Sequence, residues 1–277
     1  MSRDAVGRGL PLFRLALQRR RRMVPALVLG MIVFEALIVV IAGTVAPTDL
    51  FGGGRTPPDA FKAFSGSNGD VSIASYAGLL GAGLTHPFWI ALQLTAIGSS
   101  GVAAVTADVE SGTIELLMTR PVSRRRLLAE RTAALAAVSV LLNAAATATV
   151  ALGVTFSPDL RAAVPIGGVL AAGLLGCGFT LCLTGPVLAV SAAGRRRASV
   201  VGATVVLGAV GFALNFVGLA WEPAAPLRYL SPFHYYTPGD ALAQGTVPWV
   251  SLAVLSAVGL TGLAAAFVLL ERRDLAA

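Results

Sequence analysis

Six apolar runs, each long enough to cross a bilayer, leave this chain little choice of fold. A helix needs about 20 predominantly apolar residues to span the hydrocarbon core. Runs of that kind occupy residues 23–46, 87–105, 131–156, 164–193, 200–220 and 250–270. Inside lipid every backbone N–H and C=O must be paired within the chain, which selects helices over open strands. The fold class expected is an all-α integral membrane protein, a single domain of six transmembrane helices. Composition points the same way. Only 13% of the 277 residues are charged, about half the share of a soluble protein, and that is too little polar surface to cover a globule in water. The fourth run is the longest, so tilt or a kink at Pro186 is expected there.

Arginine placement orients the spans. Arg19 to Arg22 precede the first span, and Arg120, Arg124, Arg125, Arg126 and Arg131 lie between the second and third. Arg195 to Arg197 separate the fourth and fifth, and Arg272 and Arg273 follow the sixth. With six spans all four clusters share one side, which the positive-inside rule makes the cytoplasm, and both termini face inward. The net charge of +7 is thus a topology signal and not a sign of a nucleic-acid partner. Trp89, Trp221 and Trp249 fall at the opposite ends of spans, as an interfacial belt would. The first apolar run follows arginines, in the outline of a signal peptide, but is longer than the usual h-region and reads as a retained helix.

Three segments lie outside the spans. Residues 1–22 form a cytoplasmic segment in which 9–22, with Leu12, Leu15 and Ala16 at helical spacing, reads as an amphipathic helix on the membrane surface. The external segment 47–86 is rich in glycine and serine, and reads as loop with one short helix near 59–64. The external segment 221–249 contains RYLSPFHYYTPGDALAQG. Its prolines and aromatics fit either backbone dipping into the outer leaflet or a belt at the surface.

Several chemistries are excluded. His86 and His234, the only histidines, sit near the outer surface outside any HExxH pattern. No GxSxG elbow is present, and Cys177 and Cys182 point apart on a helix, so they read as small core residues and not a metal pair. A P-loop needs GxxxxGK[ST], and the single lysine, Lys62, stands in AFKAF. The chain itself therefore binds no ATP and is not an enzyme. Within the spans Glu35 is the one acidic residue. A carboxylate there is expensive to bury, and reads either as an ion, proton or substrate contact or as a group fastening two helices. Gln93, Asn143 and Asn215 are the other strongly polar mid-span residues, read mainly as interhelical hydrogen bonds. Gly168, Ala172, Gly176 and Thr180 recur every four residues, which permits close packing.

The cytoplasmic loop 107–130 is the polar exception between oily spans. After Asp108 and Glu110, Ser111-Gly112 suits a turn, and Gly112 is placed to cap a helix with Glu115 at its third position. In TIELLMTR, Ile114, Leu117 and Met118 share one face, away from Glu115 and Thr119. Pro121 disfavours helix at Arg120, so the element ends after about two turns. Ser123 can then cap a new helix that enters the membrane as the third span. The pattern describes a short, separate helix braced between two membrane helices, suited to taking force from a docked partner; the alternative is a solvated, positive-inside loop.

At these residues the chain resembles a family. ESGTIELLMTRPVSRRRLLAER is similar to the signature between spans two and three of type-2 ATP-binding-cassette (ABC) exporter permeases. It maps onto Glu110, Gly112, Thr113, Ile114, Glu115, Leu117, Pro121, Val122, Ser123 and Arg124. LSPFHYYTPGDAL at 230–242 and ERRDL at 271–275 resemble two further family stretches. Glu130-Arg131 departs from the family, whose members often place a lysine there. The resemblance implies that Glu110 to Arg124, Arg120 included, form a coupling helix seated in a cleft of a separate ATPase subunit, with residues 9–22 as a connecting helix beside it. It implies two permease copies, as a homodimer or with a close paralogue, two ATPase copies holding ATP and Mg, and membrane lipids as surroundings. The function implied is ATP-driven export of an amphiphile (drug, lipid or peptide) across a bacterial plasma membrane. The alternative is an ATP-independent membrane protein, either a secondary transporter using Glu35 or a scaffold.

Overall fold

Local start and stop residues divide the chain into helices before any packing is considered. Ser75, Ser123 and Ser157 each precede a helix and accept a backbone N–H from its first turn, from Gly78, Arg126 and Leu160 respectively. Proline stands at the first helical position at Pro11, Pro87 and Pro158, where its missing N–H costs nothing. The computed structural model describes residues 10–50, 71–119 and 122–273, and every regular element among them is helical.

In chain order these are α1 (Pro11–Gln18), α2 (Met23–Thr44), α3 (Pro47–Leu50), α4 (Tyr76–Thr85), α5 (Pro87–Ala104), α6 (Thr106–Glu110) and α7 (Thr113–Met118). They are followed by α8 (Arg124–Phe156), α9 (Pro158–Ala163), α10 (Ile166–Ala193) and α11 (Arg197–Ala220). A 3-10 helix (Glu222–Leu230), α12 (Pro238–Gln244) and α13 (Trp249–Arg272) complete the set. Six stretches are long and apolar enough to cross a membrane: α2, α4 with α5, α8, α10, α11 and α13. α10 continues through Pro186. At 33 residues, α8 is about 50 Å long at the helical rise, well beyond a hydrocarbon core of about 30 Å. Its arginine-rich first turns therefore stand clear of the core.

The segment expected to be an external loop, 47–86, is corrected in its last third. Residues Tyr76–Thr85 form α4, and eight of its ten residues are buried. Ten residues are too few to span a bilayer, and the glycines that suggested loop instead let α4 press against α12. A Cβ added at Gly81 would lie 2.5 Å from the Gly239 Cα. The stretch leading into the second span thus begins at Tyr76, before the expected 87–105, with a break at His86. The short helix expected near 59–64 lies outside the described residues.

The segment 221–249 is divided between the protein surface and the core. Its first part is exposed, at Trp221, Tyr229 and Leu230, while Phe233, Tyr236, Ala241 and Leu242 are buried in the main core. Trp221 and Trp249 are exposed as a belt requires, but Trp89 is 1% exposed and stacks on Tyr236 with centroids 5.5 Å apart. Trp89 belongs to the core and not to the belt. A helix of small apolar residues cannot fill the space beside α5, and these aromatics do.

α10 and α13 pack closely along their lengths. The four-residue stripe in α10 serves other neighbours: Gly168 faces the Ala241 and Leu242 carbonyls of α12, and Gly176 faces Asn143 of α8. The approach to α13 uses Gly185, Gly259 and Gly262 instead, and a Cβ at Gly259 would lie 2.5 Å from the Leu181 carbonyl oxygen. Overpacking of this kind costs about 1–3 kcal/mol or more. Gly259→Val is expected to lower the unfolding midpoint of the detergent-solubilised chain, whereas Gly202→Val, with no atom near its added Cβ, is expected to leave it unchanged. Equal midpoints would contradict the backbone contact.

Candidate functional site

The polar passage after α5 folds as two short helices set at the arginine-rich end of the bundle. Val105 leaves helical geometry at φ −145° and ψ −49°, which ends α5 and starts α6. Thr106–Glu110 form a short helix, and the turn expected at Ser111-Gly112 follows it. Gly112 has φ +70°, a left-handed conformation that glycine adopts without penalty, and its N–H returns to the Val109 carbonyl at 3.1 Å. It closes α6 and stands just before α7, the position expected of it. Thr113 then ties the two helices together, its hydroxyl 3.1 Å from Asp108 Oδ1 and 2.9 Å from Ser111 Oγ.

On α7, Ile114 is 3% exposed and seats the helix, while Thr113, Glu115 and Thr119 are exposed. Among the described residues no hydrogen bond or ion pair engages the Glu115 carboxylate. Arg120 and Pro121 lie outside the described residues, and so does the side chain of Leu117. Ser123 caps α8, accepting the Arg126 N–H at 3.2 Å.

The base of this element is a network of charges on helix ends. Asp108 and Arg131, 8% and 6% exposed, form an ion pair of 2.5 Å. Arg131 also donates to the Ala103 and Ala104 carbonyls at 3.2 and 2.8 Å. Those are the last carbonyls of α5, which lack partners within the helix and carry the negative end of its dipole. Arg124 does the same for α13, donating to the carbonyls of Leu270, Glu271 and Arg273. Arg273 does it for α10, reaching the Ala192 carbonyl at 2.9 Å. Carboxylates serve the opposite ends. Glu130 accepts the Leu12 and Phe13 N–H groups at the start of α1, at 2.8 and 3.1 Å, and pairs with Arg126. Glu110 accepts the first N–H of α11, from Arg197, at 2.7 Å.

Two residues expected on an outward docking face, Glu110 and Arg124, are thus engaged within the chain. The structurally decisive residues missed by the sequence reading are Asp108, Glu130, Arg131 and Arg197. The four-residue spacing of Arg126 and Glu130 was a legible signal for one pair. The rest depend on which helix ends meet, which spacing along the chain does not reveal. The departure at Glu130-Arg131 has a physical account: one residue caps α1, and the other holds α6 and α5.

The mid-span candidates occupy separate helices. Glu35 on α2 and Gln93 on α5 are both fully buried, and neither side chain has a hydrogen-bond partner among the described residues. Asn143 on α8 donates to the Ser139 carbonyl at 2.9 Å and crosses to Thr180 of α10 at 3.4 Å. Asn215, buried on α11, is 1% exposed. Among the described residues no hydrogen bond joins Glu35, Gln93 and Asn143 to one another. Glu35 lies beside α4, where a Cβ at Gly83 would come within 3.4 Å of its Oε2.

A search of curated proteins finds no match to this chain. The family model described as ABC-2 family transporter protein matches residues 17–275. That match takes in all six membrane-crossing stretches and the paired helices between the second and third. The chain therefore belongs to the ABC-2 transporter family, as a multi-pass, non-catalytic permease subunit of an ABC transporter, a class that associates with an ABC ATPase subunit.

Proposed function

We propose that this permease couples ATP hydrolysis on a partner subunit to export of an amphiphilic substrate, through the α6–α7 pair. In this reading the arginine-rich end faces the cytoplasm of a bacterial cell, and both termini lie there. α7 docks in a cleft of the ATPase, which holds ATP and Mg, and α1 flanks the contact. Two permease copies, identical or closely paralogous, enclose the path. The observation that carries the proposal is the state of α7: its Glu115 carboxylate is exposed and unengaged, while its base is fixed by the buried Asp108–Arg131 pair. A docked partner would find a free carboxylate on a rigid support. Removing one member of such a buried pair costs about 3–5 kcal/mol, so motion of α7 would pass to α5 and α8 before the pair gives way.

Glu115 and Glu110 should then separate by phenotype. Glu115→Lys is expected to weaken association with the ATPase subunit about tenfold or more, the scale of one charge-assisted contact, with membrane insertion intact. Glu110→Gln keeps a weaker acceptor on the α11 N-terminus and is expected to cost the permease up to about 1 kcal/mol, within the range for a helix cap. Co-purification and unfolding of the two variants distinguish these effects, and unchanged association in Glu115→Lys would count against docking through α7.

The complete burial of Glu35 favours one competing reading, a secondary transporter in which this carboxylate carries an ion or proton. The ATP-driven reading expects Glu35→Gln to keep ATP-dependent transport in vesicles within about twofold, a change far below 1 kcal/mol in activation energy. It expects loss of the partner's Walker lysine to abolish transport. The reverse pair of results would make the secondary transporter the better account.

A further inference from the structure

Beside the network at the arginine-rich end, and outside its capping contacts, lies a cavity of about 260 Å³ between α1, α2, α5 and α8. Its lining includes the arginines Arg19, Arg20 and Arg131 together with the apolar Leu12, Leu15 and Met23. Arg20 is 8% exposed, and its guanidinium makes one long hydrogen bond, 3.4 Å, to the Ser99 carbonyl. Among the described residues no carboxylate pairs with it. Burial, and then the nearby Arg131 guanidinium, lower its pKa from the usual arginine value. The Asp108 carboxylate is taken up by the neighbouring arginines, 3.9 Å from Arg19 and 2.5 Å from Arg131. Arg19 and Arg131 thus share Asp108, while Arg20 is left without a carboxylate among the described residues, and a buried cation without a counter-charge is costly.

We propose that this cavity binds the phosphate headgroup of an anionic phospholipid. The planar guanidinium fork of Arg20 suits a phosphate, with Arg19 as a second donor at the mouth. The apolar wall decides between a lipid and a dissolved anion. Leu12 and Leu15 belong to α1, the amphipathic helix whose apolar side continues the cavity toward the hydrocarbon, so an acyl chain can lie along it. A free phosphate would satisfy the arginines alone and leave that wall bare. Basic pockets between membrane helices are suited to such headgroups. The bound lipid would pin α1, already held by Glu130, to the base of α2 and α5. This inference does not depend on the ATPase docking proposed above.

The test uses the full chain in neutral detergent, with lipid retention followed by native mass spectrometry and stability by thermal unfolding. Phosphatidylglycerol, phosphatidylcholine and inorganic phosphate are the three probes. Phosphatidylglycerol should be retained and raise the midpoint, and the other two should do neither. Arg20→Gln should lower phosphatidylglycerol retention about tenfold, the scale of one charge-assisted hydrogen bond. Leu15→Trp should lower it with no change of charge, and decides the matter if Arg20→Gln fails to fold. Arg161→Gln, at the far end of α8, should bind as the parent does. Retention of phosphatidylcholine to the same degree, or wild-type binding by Leu15→Trp, would overturn the proposal. Inorganic phosphate matching the effect of phosphatidylglycerol would assign the cavity to a free anion and overturn the lipid assignment.

Discussion

The buried Asp108–Arg131 ion pair is the interaction on which the arrangement of this permease depends. Arg131 alone joins the end of α5, the start of α6 and the first turns of α8. Without it, the last carbonyls of α5 and the Asp108 carboxylate would each be buried without adequate partners. The same solution recurs around the ring: arginines on helix C-termini, carboxylates on helix N-termini. Each contact satisfies an orphan backbone group and opposes a helix dipole at once. The exposed Arg125–Glu271 pair contributes far less, because water already solvates both groups.

This network gives the end of the bundle a different character from its middle. The spans hold together by close apolar contact, at glycines between α10 and α13 and at Trp89, Phe179, Phe233 and Tyr236 beneath the opposite end. Such packing is tight but offers no directional linkage between one helix end and the next. The charged ring does, and it includes the α6–α7 pair as one of its members. A push on α7 therefore reaches α5, α8 and, through Glu110, α11. The family makes this chain a permease subunit of an ABC transporter, and in the proposed function the network is the route by which a contact outside the membrane would be felt within it.

Much of this was legible in the sequence, because hydrophobic length and arginine placement are local quantities. The six spans follow from apolar runs, and Ser123, Gly112 and Ile114 stand where capping and amphipathic spacing put them. What escaped was non-local. α4 was read as loop because it shares a segment with glycine- and serine-rich stretches, and its burial against α12 is not visible in the sequence. Trp89 was placed in a belt on its position near a span end, whereas Tyr236, far along the chain, draws it into the core. Glu110 and Arg124 were placed in the docking element through the resemblance of their motif. Within the chain they also engage the ends of α11 and α13, more than 80 residues away.

The central claim is that α7 forms the contact with an ATPase subunit. Cross-linking in native membranes tests it most directly, using Glu115→Cys as the single cysteine, with Cys177 and Cys182 replaced by alanine, and a thiol-reactive ATPase partner with cysteines in its permease-binding cleft. The account predicts a permease–ATPase adduct from position 115 and none from Arg161→Cys at the opposite end. An adduct from position 161, with none from position 115, would contradict both the docking element and the assigned orientation.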